Sequence, residues 1–307
     1  MTQLNQWMTA GALLLLLVQA VQASSSCTTS GIALQVLGSG GPEITDRRAS
    51  TGYLIWQDGR ARVLIDMGPG SLQQFERSGA RVEELDVILL THLHVDHSAD
   101  LPALVKSSFF TARNRDLPLF GPTGNQIFPA TERFVRTLFA SPDGAFQYLD
   151  GFLSGNAAYR LQTQDVDANG VQAATVIDDE RFKITAIPVH HGPVPALAWR
   201  LDIAGKTIVI SGDMNGDNET LPKLARQADL LVAHHAIPEG LQGVARNLHM
   251  PPSVIGEIAG QAEVKQLVLS HRMNRTLGQE AISTKMIRNH YRGSLVFADD
   301  GQCFTVE

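Results

Sequence analysis

The chain has 307 residues, enough for one large domain or two small ones around a sizeable core. Its 25 Lys and Arg against 31 Asp and Glu leave a net charge of −6, which argues against a nucleic-acid partner gripped by a general phosphate-binding surface. A hydrophobic fraction of 44% with modest charge describes an ordinary globular protein.

The N-terminal residues 1–23 contain no charged side chain, and their apolar run over 10–20 leads into Val21-Gln22-Ala23, a small-x-small pattern. This predicts a secretory signal peptide, and the run is short for a membrane span. The processed chain is then expected in the periplasm or secreted, with no stable membrane span. Because the segment lacks Lys or Arg, an uncleaved anchor is the alternative, and a lipid on Cys27 ranks third. Residues 24–31 form a Ser-rich linker, and 32–307 the remaining single domain. Two cysteines, Cys27 and Cys303, sit near the two ends of that processed chain. In an oxidising compartment they could be bridged, or they are two unrelated thiols.

Beyond the linker, short apolar runs alternate with helical patterns. Strands are predicted over 32–37, 52–56, 62–65, 87–90, 182–189, 196–203, 207–211, 230–233, 266–270, 294–298 and 303–306. Helices are predicted over 71–78, 99–106, 130–140, 221–226, 252–262 and 282–291, with Pro251 and Pro252 suited to a first helical turn. The alternation argues for an α/β fold.

Residues 125–160 stand apart, holding seven of the sixteen Phe and Tyr residues of the chain. Three arginines there balance three acids. The segment reads as a lid over a pocket, a dimer contact that would make the protein a homodimer, or an aromatic packing unit.

The densest chemistry lies in T-H-L-H-V-D-H, residues 91–97. It follows the strand-like run 87–90 and places His92, His94, Asp96 and His97 within six positions. Residues two apart at a strand end point the same way, so His92 and His94 can face one metal ion. The turn after Val95 carries Asp96 and His97 to an adjacent side. Imidazole and carboxylate are ligands that zinc takes at about 2.0–2.2 Å.

This stretch resembles the signature of the metallo-β-lactamase superfamily, and further landmarks follow in order. Leu64-Ile65-Asp66-Met67-Gly68 resembles an early strand-end aspartate, better suited to orienting a histidine than to binding metal. His190-His191-Gly192-Pro193-Val194 resembles the segment with the third histidine, and its Gly-Pro-Val register points to His191, with His190 as the other choice. Ile210-Ser211-Gly212-Asp213 resembles the source of a bridging aspartate, although Asp213 could also cap a turn. Leu269-Ser270-His271 resembles the last ligand segment. The resemblance covers about residues 32–307. It implies an αββα sandwich, two mixed β-sheets face to face with helices outside. It also implies two metal ions, zinc first and manganese or iron(II) as substitutes. His92, His94 and His191 would hold one; Asp96, His97 and His271 the other; Asp213 would bridge.

Two zinc ions about 3.5–4 Å apart would activate a bridging water as hydroxide. Asp96 could orient that nucleophile. His249, in His249-Met250-Pro251-Pro252, resembles a histidine of the ribonuclease Z and arylsulfatase-like branch that protonates the leaving group; a helix cap is the plain alternative. The turn Gly38-Ser39-Gly40-Gly41 and Arg47 or Arg48 resemble the same branch. His234 matches that branch and His235 departs from it; neither is assigned to metal. With no basic arm near 125–160, with negative net charge and with an apparent export signal, the expectation is an exported dinuclear zinc hydrolase. Its substrate would be a small sulfate or phosphate ester, an arylsulfatase- or phosphodiesterase-like activity with no nucleic acid involved. The rivals are a lactonase or β-lactamase, a ribonuclease Z-like nuclease, and a binding protein without turnover.

Overall fold

A computed structural model describes Cys27 and residues 30–307. The predicted signal peptide, and the linker apart from Cys27 and residues 30–31, lie outside the described residues. Strands β1 (Ile32–Gly38), β2 (Gly52–Gln57), β3 (Arg60–Met67), β4 (Val87–Leu89), β5 (Leu117–Pro122), β6 (Leu161–Val166) and β14 (Cys303–Thr305) form one sheet, in the order β14-β1-β2-β3-β4-β5-β6. A second sheet has β7 (Ala174–Asp178), β8 (Phe182–His191), β9 (Val194–Ile203), β10 (Lys206–Ile210), β11 (Leu230–His234), β12 (Gln266–Ser270) and β13 (Ser294–Phe297) in the mirror-like order β13-β12-β11-β10-β9-β8-β7. Each sheet is antiparallel at its first strands and parallel from β3 to β6 or from β10 to β13.

Side-chain alternation builds three apolar layers. Ile65 and Val87 of the first sheet meet Trp199, Ile208 and Ile210 of the second. Leu64 and Ile88, on the opposite face, pack with Phe75 of α1 (Ser71–Arg77), Leu104 of α3 (Leu101–Ser107), and Val135 and Phe139 of α4 (Thr131–Phe139). Val209 and Leu231 of the second sheet pack outward with Leu221 of α6 (Thr220–Leu224), Ile255 of α8 (Pro252–Gln261) and Ile287 of α9 (Glu280–Ile287). The layers are helix, sheet, sheet, helix, the αββα sandwich expected. The remaining helices are single turns: α2 (Val95–Ser98), α5 (Gly151–Ser154) and α7 (Val244–Leu248).

Three strands escape the sequence pattern. β5 reads Leu-Pro-Leu-Phe-Gly-Pro, whose prolines suggest turns, yet it pairs in parallel on both sides. β6 and β7 are edge strands, mostly polar or half-exposed, and lack the alternation of a buried strand.

Cys27 and Cys303 are joined in a disulfide, with Cα atoms 5.8 Å apart, inside the normal span for such a bond. Of the two readings left open, this is the bridged one. In the aromatic segment, Phe139, Phe152 and Tyr159 are core residues packed on the first sheet, whereas Tyr148 is exposed.

Candidate metal centre

The chemistry collects where the strands end. Asp66 closes β3; the loop after β4 carries His92, His94, Asp96 and His97; His191 ends β8; Asp213 follows β10; His234 ends β11; His271 follows β12. These are carboxyl ends of strands from both sheets, the usual place for a site in an open α/β sheet. The two halves are tied together there. Trp199 Nε1 donates to the Leu90 carbonyl at 3.1 Å, and Leu197 N donates to the Thr91 carbonyl at 2.9 Å.

His92, His94, His191 and Asp213 bring one donor atom each into a single cluster. His92 Nε2 lies 3.0 Å and His191 Nε2 3.4 Å from His94 Nδ1. Asp213 Oδ2 lies 3.9 Å from His92 Nε2 and 3.6 Å from His191 Nε2. A second cluster sits on the other side of the same carboxylate. His97 Nε2 is 3.5 Å from Asp96 Oδ2 and 3.7 Å from Asp213 Oδ2; His271 Nε2 is 3.2 Å from Asp96 Oδ2 and 3.3 Å from Asp213 Oδ1. Donors bound tetrahedrally to one ion at zinc–ligand distances would stand about 3.4 Å apart. The observed spacings bracket that value. His97 Nε2 is moreover buried without a hydrogen-bond partner among the described residues, as a nitrogen reserved for an ion would be. The His and Asp cluster is compatible with a metal site, zinc included.

Neighbouring groups aim these side chains. Asp66 takes a hydrogen bond from Thr91 N at 2.7 Å, another from Thr91 Oγ1 at 2.7 Å, and stands 2.8 Å from His97 Nδ1. His191 Nδ1 is held 2.8 Å from the Leu248 carbonyl. His234 also reaches the second cluster, but both its nitrogens are engaged: Nδ1 is 2.7 Å from Asp213 Oδ1 and Nε2 is 2.9 Å from the Tyr53 hydroxyl. It therefore orients Asp213, and Asp96 is the better fourth donor beside His97. Tyr53, on a strand of the other sheet, had no signal in the sequence. Asp66 and His271 both adopt left-handed backbone, φ 53° and 54°, which is uncommon for non-glycine residues and concentrates at functional sites. Gly68 is demanded by packing, because a Cβ there would stand 2.0 Å from the Asp96 carbonyl oxygen. Gly41, in the Gly-rich turn, lies against the His271 ring, while Arg48 pairs with Asp299 at 2.7 Å.

Electrostatics sort the donors. Burial lowers His92, His94 and His191 below the ordinary imidazole range, leaving neutral rings with a free lone pair. Burial also opposes charge on His97, but Asp96, Asp66 and Asp213 outweigh it and raise that ring to about 9. His271 is raised against burial in the same way, by Asp213 and Asp96. Asp213 resists burial and is held well below the usual carboxylate range by His271 and His249; Asp96 is lowered likewise by His97 and His271. The second cluster thus calls for positive charge between its carboxylates, which protons on His97 and His271 or a metal ion in their place can supply.

His190 turns away from the cluster to Asn215 Nδ2 at 3.0 Å, so of the adjacent pair His191 alone faces inward. His235 points elsewhere too, with Nε2 3.0 Å from Ser283 Oγ. His249 is buried beside the clusters, its Nδ1 3.8 Å from Asp213 Oδ2, and burial pushes it down to about 3.

Comparison with known proteins agrees with this geometry and corrects one expectation. A beta-lactamase superfamily domain matches residues 61–272. Ribonuclease Z of Haloferax volcanii is 27% identical over 299 residues, covering 87% of this chain and 92% of the relative. Ribonuclease Z of Mycobacterium sp. (strain KMS) is 30% identical over 262 residues, 81% of this chain and 87% of the relative. Among solved structures, human tRNase Z, short form, superposes with a TM-score of 0.70 at 20% identity, covering 90% and 99% of the two chains. The metallo-beta-lactamase fold protein YhfI from Bacillus subtilis gives 0.67 at 22% identity, covering 89% and 98%. These relatives overturn the expectation of a hydrolase for small sulfate or phosphate esters with no nucleic-acid partner. That expectation used net charge to exclude RNA, and net charge averages over a whole surface. A phosphodiester needs positive charge only where it is cut, and bound metal ions supply it there. The chain has the fold and relatives of a metal-dependent hydrolase, and it belongs to the metallo-β-lactamase superfamily, with its relatives in the ribonuclease Z-like branch.

Proposed function

We propose that this protein is a ribonuclease Z-like endonuclease that hydrolyses a phosphodiester bond in a structured RNA such as a precursor tRNA. The observation that carries this reading is a pair of donor clusters sharing one carboxylate, Asp213, in a chain related to ribonucleases over more than four-fifths of its length. We propose two divalent ions, zinc first: one held by His92, His94 and His191, the other by Asp96, His97 and His271, with Asp213 reaching both. When bound, such ions supply an activated water and neutralise charge on the scissile phosphate.

The protein's own groups do the rest. Asp96, whose Oδ2 lies 3.5 Å from His97 Nε2 and 3.2 Å from His271 Nε2, accepts a hydrogen bond from the attacking water and fixes its direction. Asp66 and His234 hold His97 and Asp213 in place. The water gives up one proton to bulk solvent on activation and its oxygen bonds to phosphorus, the bond from phosphorus to the leaving oxygen breaks, and that oxygen takes its proton from His249. Since burial disfavours charge on His249, the proton it donates must be drawn in by the anionic phosphate beside it.

The test is cleavage of a precursor tRNA carrying a 3′ extension by zinc-loaded protein, with Asp213→Ala as blank. A discrete cut by the wild type and none by the variant supports the proposal. Absence of any cut by the metal-loaded wild type sinks it.

A further inference from the structure

A groove of about 570 Å³ runs between α3 and α4, directly beside the metal-bearing loop. Its walls include Leu93, Val95, Lys106, Phe134, Phe146 and Tyr148. Leu93 and Val95 alternate with His92, His94 and Asp96, so the loop shows donors to one side and an apolar surface to the other. Val95 is 70% exposed and Tyr148 62%, well beyond what packing needs. Phe128 stands beside the cluster, its ring centroid 6.1 Å from that of His94.

The charge of the groove identifies what it suits. Lys106 stands in it with no acidic residue on the walls. Its ammonium is held by rings instead, 4.5 Å from the Phe109 centroid, 5.4 Å from Phe110 and 5.6 Å from Tyr148. The larger groove under α1, about 820 Å³, sets Glu76, Glu83 and Asp100 against a single cation, Arg81, and would disfavour a phosphate chain. Exposed ring faces with an interleaved cation, continuous with a phosphodiester-cleaving centre, are what unpaired nucleotides bind: bases stack and the backbone is neutralised.

We infer that the groove between α3 and α4 is a stacking subsite for unpaired RNA bases next to the scissile bond, with Tyr148 and Phe146 as platforms and Lys106 on the backbone. This rests on the ribonuclease reading and adds a base-binding surface to it. One stack carries a preference of about 5- to 150-fold over an abasic strand.

The experiment measures, by fluorescence anisotropy, binding of a short oligouridylate with hydrolysis-resistant phosphorothioate linkages and of its abasic counterpart to metal-loaded protein. Precursor tRNA cleavage is assayed alongside. The wild type should bind the base-bearing strand about tenfold tighter; Tyr148→Ala should reduce that difference several-fold and Tyr148→Phe should keep it. Lys106→Met should flatten the dependence of log affinity on log salt by about 0.7, one backbone contact, and gives a second reading should Tyr148→Ala fail to fold. If the wild type neither cleaves nor binds RNA, the ribonuclease reading falls and the subsite with it. If it cleaves but binds both strands equally, or if Tyr148→Ala keeps the preference, the subsite alone is overturned. A dimer in solution that Tyr148→Ala dissolves without touching RNA affinity would also overturn it, since the groove would then seat a second copy.

Discussion

Replacing Asp66 by asparagine isolates the orientation of one proposed ligand from everything around it. The carboxylate is fully buried and serves three donors: Thr91 N and Thr91 Oγ1 at 2.7 Å each, and His97 Nδ1 at 2.8 Å. Asparagine has the same shape and tolerates the left-handed backbone at this position, φ 53°, so no backbone strain enters the comparison. It has only one acceptor oxygen. If that oxygen stays on Thr91 N, the amide nitrogen faces His97 Nδ1 and must donate to it. The imidazole proton then moves to Nε2, which removes the lone pair aimed between Asp96 and Asp213. If the amide is turned the other way, a buried Thr91 N–H loses its acceptor, at a cost of about 1–3 kcal/mol.

The first arrangement weakens metal at the second cluster and spares the first cluster; the second arrangement leaves the His97 tautomer intact and costs stability instead. Loss of an outer partner of this kind lowers metal affinity about 10- to 100-fold, or about 1.4–2.7 kcal/mol. Competition against a chromogenic zinc chelator reads this directly. The wild type should show two tight equivalents, and Asp66→Asn one tight and one weakened, with RNA cleavage reduced alongside. Two equivalents of unchanged affinity in a variant of unchanged stability would refute the reasoning.

Three further expectations follow from the same structure. His249→Ala should slow RNA cleavage about 10²- to 10⁴-fold while both metal equivalents remain; metal loss or an unchanged rate would remove its role as acid. Burial pushes His235 down to about 4, whereas an unfolded imidazole takes its proton near 6.5. The unfolded state therefore binds more protons as pH falls from about 6.5 to about 4, and the native state loses up to about 3 kcal/mol on account of this ring. Urea unfolding at pH 7 and pH 4.5 should show His235→Gln with the shallower loss, and equal losses would count against it. Cys303→Ser should lower stability by about 2–4 kcal/mol, read as a drop in melting temperature that reducing agent reproduces in the wild type alone.

The stretch from Thr91 to His97 made the site legible because its donors are neighbours in sequence and share one loop. Successive residues of β8 face opposite ways, so His190 and His191 could not both point inward, yet only the three-dimensional register decides between them. Tyr53 reaches His234 across 181 residues and between two sheets, a contact no local spacing encodes. β5 hid behind Pro118 and Pro122, which read as turns until neighbouring strands are present to pair with. RNA was dismissed for a related reason. Negative net charge is a property of the composition, while the recognition proposed at Lys106 and the cluster would depend on a few square nanometres of surface.

The bond between Cys27 and Cys303 brings the start and finish of the described fold to one point. Topologically the domain is a closed ring, and a ring has no privileged place to begin. The segment around Gly170, between the two sheets' outermost strands β6 and β7, is largely exposed, and a Cβ added at Gly170 would meet nothing within 4 Å. Cutting the gene there and joining the old ends with a short linker would yield a permuted chain that starts with the second sheet and ends with the first. It would then translate the two halves of the metal centre in reversed order, and would ask whether either half must fold first.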